Sequence, residues 1–328
     1  MILAGDIGGT KTVLALFSPD EGGKRPVRET RFVSGDYDSF EAIVAAFLAG
    51  TDVVPEMASF GVAGPVIGRQ AKITNLPWVI SAVAVGETFG IPTVRLLNDL
   101  EAIATAVPHL ARDDLCTLNA GRPDATGTKA VIAPGTGLGM SFLTWTDGRY
   151  HAHPTEGGHA SFAPATPEQL ELLDYLARRF GHVSYERVCS GSGIPNLYDY
   201  LRVSGGHAEP DWLRKALSEA VDPTPIIVDA ALERRVEICV ATLDMFVRIL
   251  GGVVGNMALK VLATGGLYLG GGIPPRILSR LRQPDFLAAI THKGRFSELL
   301  ANIPVHVILD PQAALHGAAY DCLETLGS

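Results

Sequence analysis

Cysteine is scarce in this chain. Four occur in 328 residues, Cys116, Cys189, Cys239 and Cys322, all far apart. No Cys-x-x-Cys pair is present, so neither a disulfide framework nor a cysteine zinc site is indicated. The plain reading is four reduced, mostly core thiols in a cytoplasmic protein. Positive charge is also short: 27 Lys and Arg face 35 Asp and Glu, for a net charge of −8. A nucleic-acid backbone needs a basic face, so nucleic acid is not an expected partner. No run of about 18 apolar residues occurs, so nothing is expected to span a membrane. Asp6 interrupts the N-terminal apolar run before a signal peptide can form. Neither a Walker A loop nor a G-x-G-x-x-G turn is present, so the P-loop and Rossmann readings lack their signatures.

Apolar residues make up 47% of the chain and charged residues 19%, enough for a sizeable core; the length favours about two domains. The 36 glycines gather in short loops rather than in a repeat. The first group lies in Asp6-Ile7-Gly8-Gly9-Thr10-Lys11, between the apolar runs Ile2 to Ala4 and Val13 to Phe17. This pattern predicts two strands joined by a glycine turn. Such a turn presents a carboxylate, bare N–H groups, a hydroxyl and an ammonium, the groups that hold a metal-bound polyphosphate. Glycine turns are also common as purely structural devices.

Strand and helix signals alternate up to about residue 108. A helix is expected from Ser39 to Ala49, a buried strand from Ala58 to Ala63, a helix from Ser81 to Phe89, a strand from Thr93 to Leu97, and a helix starting near Asp99. Alternation of this kind means a layered α/β domain. The pattern restarts with a strand at Ala130 to Ala133, the turn Pro134 to Gly139 and a strand at Met140 to Trp145, about 125 residues after the first copy. Two related half-molecules are therefore expected, each with a phosphate-gripping hairpin. Helices are expected over Pro167 to Phe180 and Pro225 to Leu250. A strand at Val261 to Ala263 is expected to lead into the glycine cluster Gly265 to Gly272. Another strand at Val305 to Leu309 and a helix at Ala313 to Leu326 close the chain.

Three glycine clusters thus sit at strand ends, and two carry threonine, which favours nucleotide binding over tight turns alone. Asn98-Asp99 falls at a strand-to-helix junction, a favoured place for catalysis in α/β sheets; it also suits a helix cap. Glu156-Gly157-Gly158-His159 can lay its backbone on a ligand while acid and imidazole reach for hydroxyls. Metal ligation with His151 and His153 is the rival, without a supporting ligand spacing. Glu186, ahead of Ser190-Gly191-Ser192-Gly193, and Asn75, beside Trp78, read on their own as a surface acid and a loop amide.

Taken in order, D-I-G-G-T, L-N-D, A-P-G-T-G-L-G, E-G-G-H, S-Y-E-R-V-C-S-G-S-G and G-G-I-P-P-R resemble the bacterial ATP-dependent glucokinases across essentially the whole chain. The resemblance implies a two-domain actin-like ATPase (ribonuclease H-like) α/β fold with an interdomain cleft. It divides the chain into a small domain, 1–109 plus 311–328, and a large one, 110–310. It implies Asp6 placing magnesium through water, with Gly8, Gly9, Thr10 and Lys11 near the outer phosphates of ATP. Gly135, Thr136 and Gly137 would cradle the phosphates, and Gly265 and Gly266 would lie along the adenosine. Asn98, Asp99, Glu156, His159 and Glu186 would bind glucose, with Asn75 close by and Asp99 as the base. A homodimer is implied as well. Lys11 departs from the Asn found there in many members. A kinase for another hexose, or a non-catalytic sugar- or ATP-sensing protein on the same fold, are the alternatives.

Overall fold

The computed structural model describes residues 1–73 and 76–327. Two compact units emerge. The first holds Met1–Ala111, Ser141–Pro154 and the C-terminal segment from Asp310; the second holds Arg112–Met140 and Thr155–Leu309.

In chain order the first unit runs β1 (Ile2–Ile7), β2 (Lys11–Phe17), β3 (Pro26–Val33), α1 (Phe40–Leu48), β4 (Met57–Val62), β5 (Val66–Ile67), β6 (Gln70–Lys72), β7 (Val79–Ser81), α2 (Ala82–Phe89), β8 (Thr93–Asn98) and α3 (Asp99–Ala106). The main sheet has the order β3-β2-β1-β4-β8, and β5, β6 and β7 form a small separate sheet. β1 pairs antiparallel with β2, whereas β1, β4 and β8 are parallel. Residues alternate across the sheet. Leu3, Ile7, Leu14 and Phe60 join Phe40, Phe47 and Val85 of α1 and α2 on one face. Ile2, Ala4, Val13 and Phe17 join Leu315, Ala318 and Cys322 of the closing helix, Ala313–Leu326, on the other. Both faces are covered, as a sheet with a parallel centre requires.

Close backbone approach fixes α3 between this sheet and the closing helix. A Cβ added at Gly61 would come 2.9 Å from that of Ala102, and one at Gly317 would overlap the Ala102 carbonyl oxygen. Asp321 of the closing helix is almost fully buried and accepts hydrogen bonds from Ser59 Oγ (2.7 Å) and Arg95 Nε (2.8 Å).

The second unit's sheet contains β9 (Leu115–Asn119), β10 (Lys129–Pro134), β11 (Leu138–Thr146), β12 (Arg149–Thr155), β13 (Gly266–Leu269) and β14 (Val305–Ile308), in the order β12-β11-β10-β13-β14-β9. β10, β13 and β14 are parallel, and β9 adds an antiparallel edge. Five of these strands repeat the succession of the first sheet, so the strand-turn-strand repeat read in the sequence marks a duplicated sheet order. The outer part of the β11–β12 hairpin groups with the first unit, unlike the contiguous 110–310 division expected from the sequence. Arg149 there donates to the Glu324 carbonyl of the closing helix (3.3 Å). A two-residue turn, Asp147-Gly148, closes this hairpin with both residues at positive φ.

Two expected elements differ. The helix expected over Pro225 to Leu250 is two, Thr224–Leu232 and Glu237–Val261, broken at Arg234 with φ 55°. Val261–Ala263 is not a strand: the long helix continues through Val261 and ends on Leu262 in the left-handed region. A short apolar run does not separate strand from helix, and here the helical period continued. This 25-residue helix is long and apolar enough to cross a bilayer, yet most of it is buried against helices of its own unit.

Gly317→Ala is expected to destabilise the protein by roughly 1–3 kcal/mol, because the new methyl must push α3 aside. Urea unfolding measures it, and an unchanged midpoint contradicts the close packing.

Candidate active site

In the first unit, β1 ends at Ile7 and β8 at Asn98. Ile7 pairs with Val62 and Val62 with Asn98, so the Asp6–Thr10 loop and Asn98-Asp99 leave the same sheet edge two strands apart, about 10 Å at ordinary strand spacing. The loop is tied from behind. Gly8 N–H donates to the Lys11 carbonyl (2.9 Å), Ser34 Oγ donates to the Gly8 carbonyl (2.8 Å), and Ser34 N–H donates to the Thr10 carbonyl (3.0 Å). Thr12 Oγ1, 3.0 Å from Ser34 Oγ, completes this buried support. Burial pushes the Asp6 carboxyl above its ordinary value, and the Lys11 ammonium draws it part of the way back. Lys11 itself is exposed.

Asn98, expected from the sequence to bind the sugar, is the cap of α3. Its Oδ1 accepts the Leu100 N–H (3.0 Å), its Nδ2 donates to the Gly64 carbonyl (3.1 Å), and Glu101 accepts the Asn98 N–H (3.3 Å) in a capping box. Asp99 Oδ1 accepts the Leu100 N–H at 2.9 Å. Glu101 went unremarked in the sequence, although Asn-x-x-Glu is a capping signature. Burial raises its pKa, the Asn98 N–H opposing this. Ser34 went unremarked as well, and no local signal ties it to a loop 24 residues earlier.

In the second unit, the 135–139 turn, the 156–159 turn and the 184–193 segment form one knot. Gly135 N–H donates to the Gly137 carbonyl (2.9 Å); Gly191 N–H donates to Gly135 (2.7 Å) and Ser192 N–H to Thr136 (3.2 Å). Glu186 N–H donates to the Gly158 carbonyl (2.9 Å), and Glu186 Oε2 accepts the Leu138 N–H (3.0 Å). A Cβ at Gly158 would overlap the Leu138 carbonyl, so glycine is required for the contact. Glu156 and His159 are exposed, with Oε2 and Nε2 4.0 Å apart. The structure therefore brings Gly135, Thr136, Gly137, Glu156, His159 and Glu186 together. His153 does not turn toward a metal: its Nε2 lies 2.8 Å from Thr144 Oγ1. Among the described residues no group of three or more His, Cys, Asp and Glu converges as a metal site.

The third glycine cluster is two groups at opposite ends of β13. Gly265 and Gly266 lie at its start, where Gly265 N–H donates to Thr128 and a Cβ would overlap the Gly127 carbonyl. That is the far end of the sheet from the 135–139 turn. Gly270 to Gly272 lie beside the turn: Gly270 N–H donates to Ile132 (3.0 Å), and Gly271, at φ 78°, faces the Pro134 carbonyl. The strand thus runs between the two glycine groups, where the sequence pattern places it ahead of both. The expected contact Asn75 lies outside the described residues.

Two sheets of one strand order, each ending a central strand in a glycine-threonine turn, give the chain the actin-like ATPase fold, the fold of a class of sugar kinases. The chain belongs to the glucokinase family: the family model described as Glucokinase matches residues 3–325. It is 40% identical to the glucokinase of Nostoc punctiforme, over 97% of this chain and 98% of that one. A glucokinase crystal structure from an Antarctic psychrotroph is 33% identical and superposes with a TM-score of 0.85, covering 99% of this chain and 98% of that one. A ROK family glucokinase from Streptomyces griseus, solved with glucose and AMPPNP, shares the fold at a TM-score of 0.61 and 20% identity, covering 99% of each chain.

The raised Asp6 value has a consequence for stability. A carboxyl whose folded pKa exceeds its unfolded one, about 3.9, stabilises the fold only while protonated; that stability is lost as pH rises through the folded value. Asp6→Asn is therefore expected to melt above the wild type at pH 7, the difference vanishing below about pH 3.9. Coincident melting curves at pH 7 would contradict the burial of a charged Asp6.

Proposed function

We propose that this protein transfers the γ-phosphoryl group of ATP to the 6-hydroxyl of D-glucose, giving glucose 6-phosphate and ADP. The observation that supports the reading is that the Asp6–Thr10 loop and Asp99 leave the same sheet edge, two strands apart. Family membership supplies the substrates.

Asp99, oriented by the Leu100 N–H, accepts the 6-hydroxyl proton as that oxygen attacks the γ-phosphorus in line. General-base assistance is worth about 10²- to 10⁴-fold. The Asp6–Thr10 loop contributes contacts to the phosphates, and positioning with charge neutralisation supplies most of the rest. Asp6 suits magnesium, since this ion is ordinarily held by one or two carboxylates together with substrate phosphates; the charge denied solvent at Asp6 is what a cation would relieve. When bound, magnesium neutralises charge on the phosphates. In the second unit, Glu156, His159 and Glu186 offer acceptors and a donor to the sugar hydroxyls. A site that pairs several hydroxyls disfavours sugars that lack one. The resemblance also supports a cytoplasmic homodimer.

The direct test is coupled detection of glucose 6-phosphate with ATP, ADP and polyphosphate as donors over a panel of hexoses. Glucose with ATP is expected to dominate; turnover only with another hexose or donor overturns the assignment. Asp99→Asn is expected to bind glucose while kcat falls by about 10²- to 10⁴-fold, and near-normal kcat would remove Asp99 from the base role. Glu186→Gln is expected to weaken glucose binding by roughly 1.5–3 kcal/mol, the worth of a charged hydrogen bond; calorimetric titration reads it, and an unchanged Kd places Glu186 outside the sugar contacts.

A further inference from the structure

Gly135 and Gly137 look equivalent in the sequence, as two glycines of one phosphate turn. Their surroundings differ. A Cβ built on Gly135 meets nothing within 4 Å, whereas one on Gly137 would lie 2.5 Å from Glu186 Oε2 and 3.4 Å from Glu186 Cδ. Neither glycine has positive φ, so an L side chain is compatible with the backbone at both. The space a side chain would fill at 137 is taken by a carboxylate, and that carboxylate is anchored at 3.0 Å by the N–H of the next residue, Leu138. The Glu186 backbone is held independently by the Gly158 carbonyl, and Ser190 Oγ donates to the Glu186 carbonyl at 2.7 Å. The Gly137–Leu138 peptide is therefore the side chain's seat.

From this we infer that Gly137 is a determinant of sugar affinity: its missing side chain lets the Glu186 carboxylate lie on the nucleotide turn, and the Leu138 N–H holds it in position for a sugar hydroxyl. The inference rests on the proposed glucokinase reading, in which Glu186 contacts glucose. A carboxylate offers two oxygens and about four acceptor positions. The turn uses one, and the donor orients the others before the sugar arrives. Acid and turn then form one mechanical piece, so a change in the turn is felt by the sugar with no nucleotide present.

The test is calorimetric titration of glucose into the nucleotide-free protein. Wild type is expected to bind; failure to bind removes the glucokinase reading itself. In Gly137→Ala the methyl displaces the flexible end of Glu186 from Leu138, and glucose affinity is expected to fall roughly tenfold or more, as for loss of a charged hydrogen bond, with the fold intact by circular dichroism. Gly135→Ala, whose methyl enters open space, is expected to keep wild-type glucose affinity in this nucleotide-free assay. Wild-type affinity in Gly137→Ala, or an equal loss in Gly135→Ala, overturns the inference. A second measurement needs no change at 137: glucose alone is expected to slow hydrogen exchange of the Leu138 amide in the wild type several-fold. Unchanged exchange at saturating glucose overturns it as well.

Discussion

The parallel pairing of β1, β4 and β8 is the constraint on which the first unit depends. Parallel strands cannot be joined by tight turns, so helices must cross between them and cover both faces. The same pairing sends the C-terminal ends of these three strands to one edge, where the chain is free of the ladder and can form loops. Register then decides what shares that edge: Ile7, Val62 and Asn98 pair across the sheet, so the loops after Ile7 and Asn98 emerge two strands apart although about ninety positions separate them in the chain. The second sheet repeats the arrangement with β10, β13 and β14.

What the two units do with that edge differs. The first hangs its loop on buried hydroxyls, Ser34 and Thr12, which fix carbonyl positions without adding charge to the loop. The second uses close backbone contact: Gly158 against Leu138, Gly191 against Gly135, and Glu186 laid over Gly137. Two construction principles thus serve similar turns, one through polar side chains and one through their absence.

Much of this was legible beforehand. The helices starting near Ser39 and Ser81, the strands around Asp6 and Gly135, and the helices at Pro167 and Ala313 follow from local patterning. Asn98-Asp99 was legible as a junction because a strand signal ended there and a cap began. Three things were not. Val261 to Ala263 is apolar in either a strand or a helix, and only the preceding helix decides. Gly265 to Gly272 reads as one cluster until β13 is placed inside it, after which its two halves lie at opposite ends of a strand. Glu186 carries no sign of its partner, since Leu138 is 48 residues away and the partner is a backbone N–H, identical in every residue but proline. Sequence patterns report local propensity and burial; they do not report which backbone group a distant acid will find.

The closing helix completes the first sheet, with Leu315, Ala318 and Cys322 covering Ile2, Ala4, Val13 and Phe17. During synthesis the ribosome must emit the whole second unit before that helix exists. At about 5–20 residues per second this takes on the order of tens of seconds, while one apolar face of the oldest sheet stands open. The last fourteen helical residues to be made act as the latch that ends this exposure.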